Sequence, residues 1–521
     1  MKKIFSVLWL LIASLSAEDK PSTPLGALSS SDASYDGNSL VLSGRVVLDH
    51  GLGKMTAEEA NLEKQEETGK EFPFKMIHLN RDVLVSLKNA SELRCDHADF
   101  DFSALKGFLF AKENEKVAFI DASKKKKTGE ETPLQLLSRS LELNFSKHDL
   151  DAKKTEYEIE SIVAKNDIEI TYANNFILLA DHALYRKQVS VNDKTDSKQF
   201  QGILTAYPKD NQSQCHLTHE KDRIDADVID LDILHSKISM LHSKGVLNSS
   251  LLSDDSLQEI HFHCDHLTWD NIKNLLTLKG NVAIEDAALG KISSQNAIEL
   301  EHTLVKGKRT LQSIHATGPS TLVYQDAETS HQHKIICHGN IHLDRDKLQA
   351  SLDSPLKSGQ VLQTEQIYYE EESIAFYADK AILEYAEENG TLHPISFTLK
   401  DNVRLFSHDP EKPQSCGIAD RLQYSPATRT LILAANPGKK VLFWDDAQGV
   451  RVSAREIHIT QDPETNERVV KGIGNLRLTF DATEQAMLEK VFAQAEIIKN
   501  RSLKGAAMLE ESLKSTENLL K

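Results

Sequence analysis

Aromatic residues are scarce, 6% of 521 positions, which argues against a membrane barrel with its aromatic girdles. Cysteine is scarcer: Cys95, Cys215, Cys264, Cys337 and Cys416 stand singly, too thinly spread for a disulfide scaffold. Their odd number leaves at least one thiol unpaired in a monomer, and spacing does not decide whether any bridge forms. With 13 prolines and 23 glycines, the chain is neither collagen-like nor low-complexity. Basic residues are outnumbered, 61 to 78, and the formal charge of −17 excludes a surface suited to nucleic acid. After the N-terminal segment no apolar run approaches the ~20 residues of a membrane helix. What remains, 40% hydrophobic and 27% charged, is the composition of a folded protein. At about 150 residues per domain, the length allows three domains or one repeat array.

Lys2 and Lys3 precede the apolar run 4–13, and small residues Ser14, Ser16 and Ala17 follow it before Glu18 and Asp19. This is the layout of a secretory signal peptide over residues 1–17, cleaved near Ser16 or Ala17. A linker, 18–30, is expected after it, and the mature chain is expected to be soluble outside the cytoplasm.

The main signal is a repeat. Residues 40–48, LVLSGRVVL, place apolar side chains at alternate positions around a central Gly44. The pattern returns at 276–284 with Gly280, at 335–343 with Gly339, and at 397–405 with Asp401 in the glycine place. Residues 162–170 carry Asn166 there, and 470–478 restore glycine at Gly474. Alternation puts the apolar set on one face of a strand, and glycine, asparagine or aspartate accepts a bulge or left-handed kink. Each copy reads as a bent strand, or as two short strands joined by a tight corner.

A second element alternates with it: a small residue, then aspartate, a variable residue and an apolar one. It stands at Cys95–Ala98, Ala180–Ala183, Ala226–Ile229, Cys264–Leu267, Ala378–Ala381 and Ala419–Leu422. An aromatic often follows, as Tyr185, Trp269, Tyr385 and Tyr424 do. Together the elements span residues 31–480, with irregular insertions within 121–258, where 121–150, 186–222 and 237–258 read as loops. From Asp481 the period becomes helical: Glu484 completes a capping box, and Met487, Leu488, Val491, Phe492, Ala495 and Ile498 share a face. A C-terminal helical segment is expected over 481–521, covering an open sheet edge.

Chemical motifs have plainer readings beside them. His261, His263, Cys264 and His266 resemble zinc ligands, but Cys264 stands where Ala180 and Ala378 stand, so a small buried residue is what the position needs. Cys215 with His216 and His219 forms a short cluster in a loop-like stretch, and no metal or cofactor is expected at either place. The recurring Asp96, Asp181, Asp265, Asp379 and Asp420 read as turn or strand-edge residues rather than a row of acids. Lys124 to Lys127 reads as a solvated loop tip. No nucleophile-elbow motif is present, and no catalytic residue is assigned.

The alternation of Leu-x-Gly-Asn-Val strands with Ala-Asp-x-Ala strands behind a signal peptide resembles the OstA-like (LptA-like) family of lipopolysaccharide-transport proteins. The likeness is clearest at 34–63, 262–300, 333–351 and 395–480. It implies an all-β, elongated antiparallel β-jellyroll (β-taco) whose apolar interior shields lipid acyl chains. It further implies a periplasmic protein, associated with the inner or outer membrane. Its expected partners are lipopolysaccharide or a related lipid, and other Lpt-type envelope proteins or its own copies by end-to-end stacking. The chain is longer than a stand-alone bridge protein of that family. The inward set Leu40, Leu42, Val46, Leu48, Leu276, Leu278, Val282 and Ile284 is the expected groove. The expectation from another class is a secreted β-solenoid adhesin or carbohydrate-active protein.

Overall fold

The computed structural model describes residues 28–474, apart from the segments 65–73, 89–90, 122–133, 152–153, 173–175, 188–201, 234, 250–257, 287–289, 306–307, 326–331, 355–364, 372–373, 389–390, 408–414, 446–449 and 462–467. The signal-like segment, the Lys124 to Lys127 run and the expected C-terminal helix lie outside the described residues. Within them the fold is all-β: 37 strands, joined antiparallel into a large sheet, and no α-helix. The chain divides into two compact units, 1–174 with 182–201, and 175–181 with 202–521.

The repeat explains how each unit is built. In the first unit, Ser39–His50 pairs with Gly53–Lys64 along both halves, but the register breaks between Ser43 and Val46. At the break Gly44 and Arg45 adopt φ of +75° and +51°. Two successive left-handed residues turn the strand without ending it. The same pair of left-handed residues recurs at Arg81–Asp82 and Asn166–Asp167, and in the second unit at Gly280–Asn281 and Asp401–Asn402. Both sequence readings of the repeat are realised. Thr391–Ser407 is one bent strand, whereas Leu275–Lys279 and Val282–Asp286 are two short strands meeting at a corner.

In the second unit the corners divide the ladder into two series. Residues 266–270 of the strand Gln258–Asp270 pair with Leu275–Lys279, while 261–263 of the same strand pair with Val282–Asp286. Onward, Leu275–Lys279 pairs with 297–301 and Gly290–Ser294 with 320–323, so the two series run on separately. They meet again in bent strands such as Thr391–Ser407, whose halves join Lys380–Glu388 and Ile374–Ala378. Alternating side chains of both series are buried: Leu267, Leu278, Ile298 and Ala316 in one, Phe262, Ile284 and Ile292 in the other.

The stretches read as loops or insertions include strands among their described residues. Ser140–Asp151 pairs with Lys154–Tyr172, Cys215–His219 with Asp222–Ala226, and Lys237–Ser249 with Gln258–Asp270. The reason is local: in Lys237–Ser249 the left-handed corner residue is His242, φ +47°, not glycine, asparagine or aspartate. No disulfide joins any two of the five cysteines. Burial, reinforced by a neighbouring aspartate, pushes the Cys95 and Cys215 thiols up to about 12. Burial likewise raises Cys264 and Cys337 to about 11.

Candidate functional site

The recurring aspartates sit at the corners, where they tie the bent strands together. Asp265 accepts a hydrogen bond from Asn281 Nδ2 at 2.9 Å, and its backbone N–H donates to the Gly280 carbonyl at 2.9 Å. A Cβ on Gly280 would strike the Asp265 carboxylate, and its φ of +70° favours glycine independently. Asp379 is buried and accepts from Gln366 Nε2 at 2.8 Å and from Asn402 Nδ2 at 2.6 Å. Asp420 accepts from the Asn436 N–H and from Lys439 Nζ, both at 2.8 Å, and these bonds hold its carboxyl below the usual carboxylate range, the lysine first. Such partners make these carboxylates structural acceptors.

The inward set is placed as follows. Leu42, Val46 and Leu48 in the first unit, and Leu276, Leu278, Val282 and Ile284 in the second, are at most 3% exposed. Leu40 is half-buried. At these positions the interior is packed by neighbouring side chains and presents no open surface.

The open volume lies further along the second unit, where an apolar cavity of about 40 Å³ sits between the two series. One wall carries Leu343, Leu383, Tyr385, Phe397 and Tyr424; the other carries Ile292, Leu322, Tyr324, His333, Ile335 and Tyr369. The rings of Tyr369 and Phe397 meet across it at 4.5 Å between centroids. Aromatics replace aliphatics here because a void between the layers is spanned by longer, rigid side chains. A second cavity of about 50 Å³ adjoins it, lined by Leu405, Leu431, Phe443 and Ile459 among others, and Tyr424 forms a wall of both.

At the first cavity His333, Tyr369 and Glu371 are linked by hydrogen bonds. The Tyr369 hydroxyl donates to Glu371 Oε2 at 3.0 Å, so His333 Nδ1, 2.8 Å from the same oxygen, donates to it. Burial first, and Glu371 second, lift the Tyr369 phenol well above its ordinary range. Burial also raises Tyr385, and pushes Tyr424 up to about 12 with Glu371 assisting. These phenols stay neutral at physiological pH, and no carboxylate lines the chamber. An uncharged, largely apolar cavity takes hydrocarbon.

The sequence marked Tyr385 and Tyr424 as aromatics following the small-Asp element; Tyr324, His333, Tyr369 and Phe397 carried no such mark. Elsewhere, His261 is exposed and Cys264 buried on opposite faces of one strand. His216 is paired with Asp225 at 2.6 Å, and His219 stacks on Phe176 at 4.0 Å. Among the described residues no three His, Cys, Asp or Glu side chains converge to hold a metal.

Fold and site together define an all-β antiparallel protein with an apolar interior. Among solved structures the chain is similar to the crystal structure of LptH, titled the LptA homologous periplasmic component of the conserved lipopolysaccharide transport device from Pseudomonas aeruginosa. The identity is 14%, over 26% of this chain and 82% of that one, with a TM-score of 0.20. No protein-family profile matches the sequence, and no curated protein does.

Proposed function

We propose that this chain is a non-enzymatic periplasmic protein of lipopolysaccharide transport or outer-membrane assembly, which shields lipid acyl chains between its sheet layers as a β-jellyroll of the taco type. The observation that carries this reading is the apolar cavity walled by both series of the second unit, whose lining holds no carboxylate, lysine or arginine. Each methylene moved from water into it contributes about 0.8 kcal/mol, while a phosphate-bearing head stays in solvent. An acidic protein can thereby carry an anionic lipid. In each unit the buried rows, through Leu42, Val46 and Leu48 in the first and through Leu276, Leu278, Val282 and Ile284 in the second, are apolar on either side of a corner, and chain entry there requires the layers to part. The signal-like segment supports export, and the OstA-like alternation supports the transport class. A glycosidase would need two converging carboxylates, which the chamber lining does not supply.

The test is mass spectrometry of lipids extracted from the protein purified from its native envelope without detergent, beside a Leu343→Trp variant that fills the chamber. Lipopolysaccharide or a related lipid is expected on the wild type and depleted from the variant, with both melting alike. A folded, lipid-free wild type would make the chamber an incidental void.

A further inference from the structure

In the second unit, the series that runs through Val282–Asp286, Gly290–Ser294 and Ser320–Gln325 is buried on both faces. Between its inward side chains, Ala283, Ser293, Thr321, Ile336, Tyr368 and Tyr377 stand opposite one another on six successive strands, and none is more than 9% exposed. Ile336, Tyr368, Ala375, Tyr377 and Phe406 pack there as a hydrophobic cluster of their own. In the other series the outward positions Thr277, Glu299, His315, His342 and Thr398 are polar and keep contact with solvent. A lone antiparallel sheet leaves its outward face to water, and the described elements of this unit are all strands of the ladder itself. The covered face therefore calls for a further segment of the same chain.

Length decides between the segments. Six strands span about 24 Å. Residues 355–364 are the longest internal stretch of the unit outside the described residues, and both their ends are held at Asp379, by the Ser354 N–H to its carbonyl at 2.9 Å and by Gln366 Nε2 to its carboxylate at 2.8 Å. Such a stretch reaches about 33 Å fully extended and less than half of that on doubling back. Residues 475–521 follow Gly474, whose φ of +97° makes a corner beside Arg455, next to the strand Val450–Ala454 of the covered series. A helix advances 1.5 Å per residue, so about 16 residues cross the row. We propose that residues 484–498 lie across this outward face as an amphipathic helix, with Met487, Leu488, Val491, Phe492, Ala495 and Ile498 turned to Ile336, Tyr368 and Tyr377. The segment then covers a sheet face rather than an open edge, and closes that face to a second copy of the chain.

The experiment is photo-crosslinking of the purified full chain, with benzoylphenylalanine replacing Phe492 or Ala493, which falls on the opposite side of the same helical turn, followed by peptide mapping. Position 492 is expected to give intramolecular adducts to the strands Gln332–Cys337, Ile367–Glu371 and Ile374–Ala378, and position 493 none. Tyrosine nitration of a chain carrying Leu488→Glu and Phe492→Glu reads the face itself. Tyr368 and Tyr377, protected in wild type, become modified in this variant, while Tyr369, on the cavity side of the same strand, stays protected. Adducts from 492 only to other segments or to a second copy, equal labelling from 492 and 493, or Tyr368 and Tyr377 still protected in the variant would each overturn the proposal. The crosslinking is done on an otherwise native chain, so it decides even where the double variant unfolds and exposes Tyr369 as well.

Discussion

Asp379→Asn is expected to destabilise the second unit by about 1–3 kcal/mol, the cost of leaving the buried Gln366 donor or the Asn402 donor facing a group that no longer accepts both. Both carboxylate oxygens of Asp379 are used, one by Gln366 and one by Asn402, and the residue is 4% exposed. Asparagine keeps one acceptor and turns an amide against the other donor. Asp265→Asn, at the equivalent corner, is expected to change stability by only a few tenths of a kcal/mol, because Asp265 is exposed and water replaces what is lost. Urea unfolding of both variants measures the contrast. Equal, negligible effects would mean that the corner aspartates do not hold the bends.

Leu278→Ala is expected to cost about 2–5 kcal/mol, from lost transfer free energy and the cavity left behind. Leu278 has no solvent exposure and lies between Leu267 and Ile298 on the adjacent strands. Leu241→Ser, on the outward face at 41% exposure, is expected to stay within about 0.5 kcal/mol of wild type. Thermal melts of the two variants separate a packed interior from a solvated one. A tolerated Leu278→Ala would contradict the sealed interior at this position.

The bends were legible in the sequence because they are local. Glycine, asparagine or aspartate at the centre of an alternating run points to a left-handed backbone, and Gly44, Asn166, Gly280 and Asp401 adopt it. Where another residue takes that conformation, the signal fails: His242, and Arg81 ahead of Asp82, stand where the other copies carry glycine, asparagine or aspartate. Reading 237–258 as a loop or insertion followed from its Lys, Ser, Asn and Asp content. The aspartate at each corner was legible as a structural residue, since its neighbours in sequence vary while its place in the repeat does not.

The chamber was hidden for a different reason. Alternation specifies which side chains point inward, and Leu278 and Leu343 both obey it. Whether opposing inward residues touch depends on the volumes contributed by strands distant in sequence. Tyr369 and Phe397 bridge the chamber from opposite walls, and nothing local to either residue marks the void beside them.

The most direct measurement of the central claim is site-specific photo-crosslinking in the native envelope, with benzoylphenylalanine replacing Leu343 inside the chamber or Thr398 on the outward face beside Phe397. Acyl-chain shielding predicts a lipid adduct from position 343 and none from position 398. Absence of any lipid adduct at 343, or equal labelling at both positions, would contradict it.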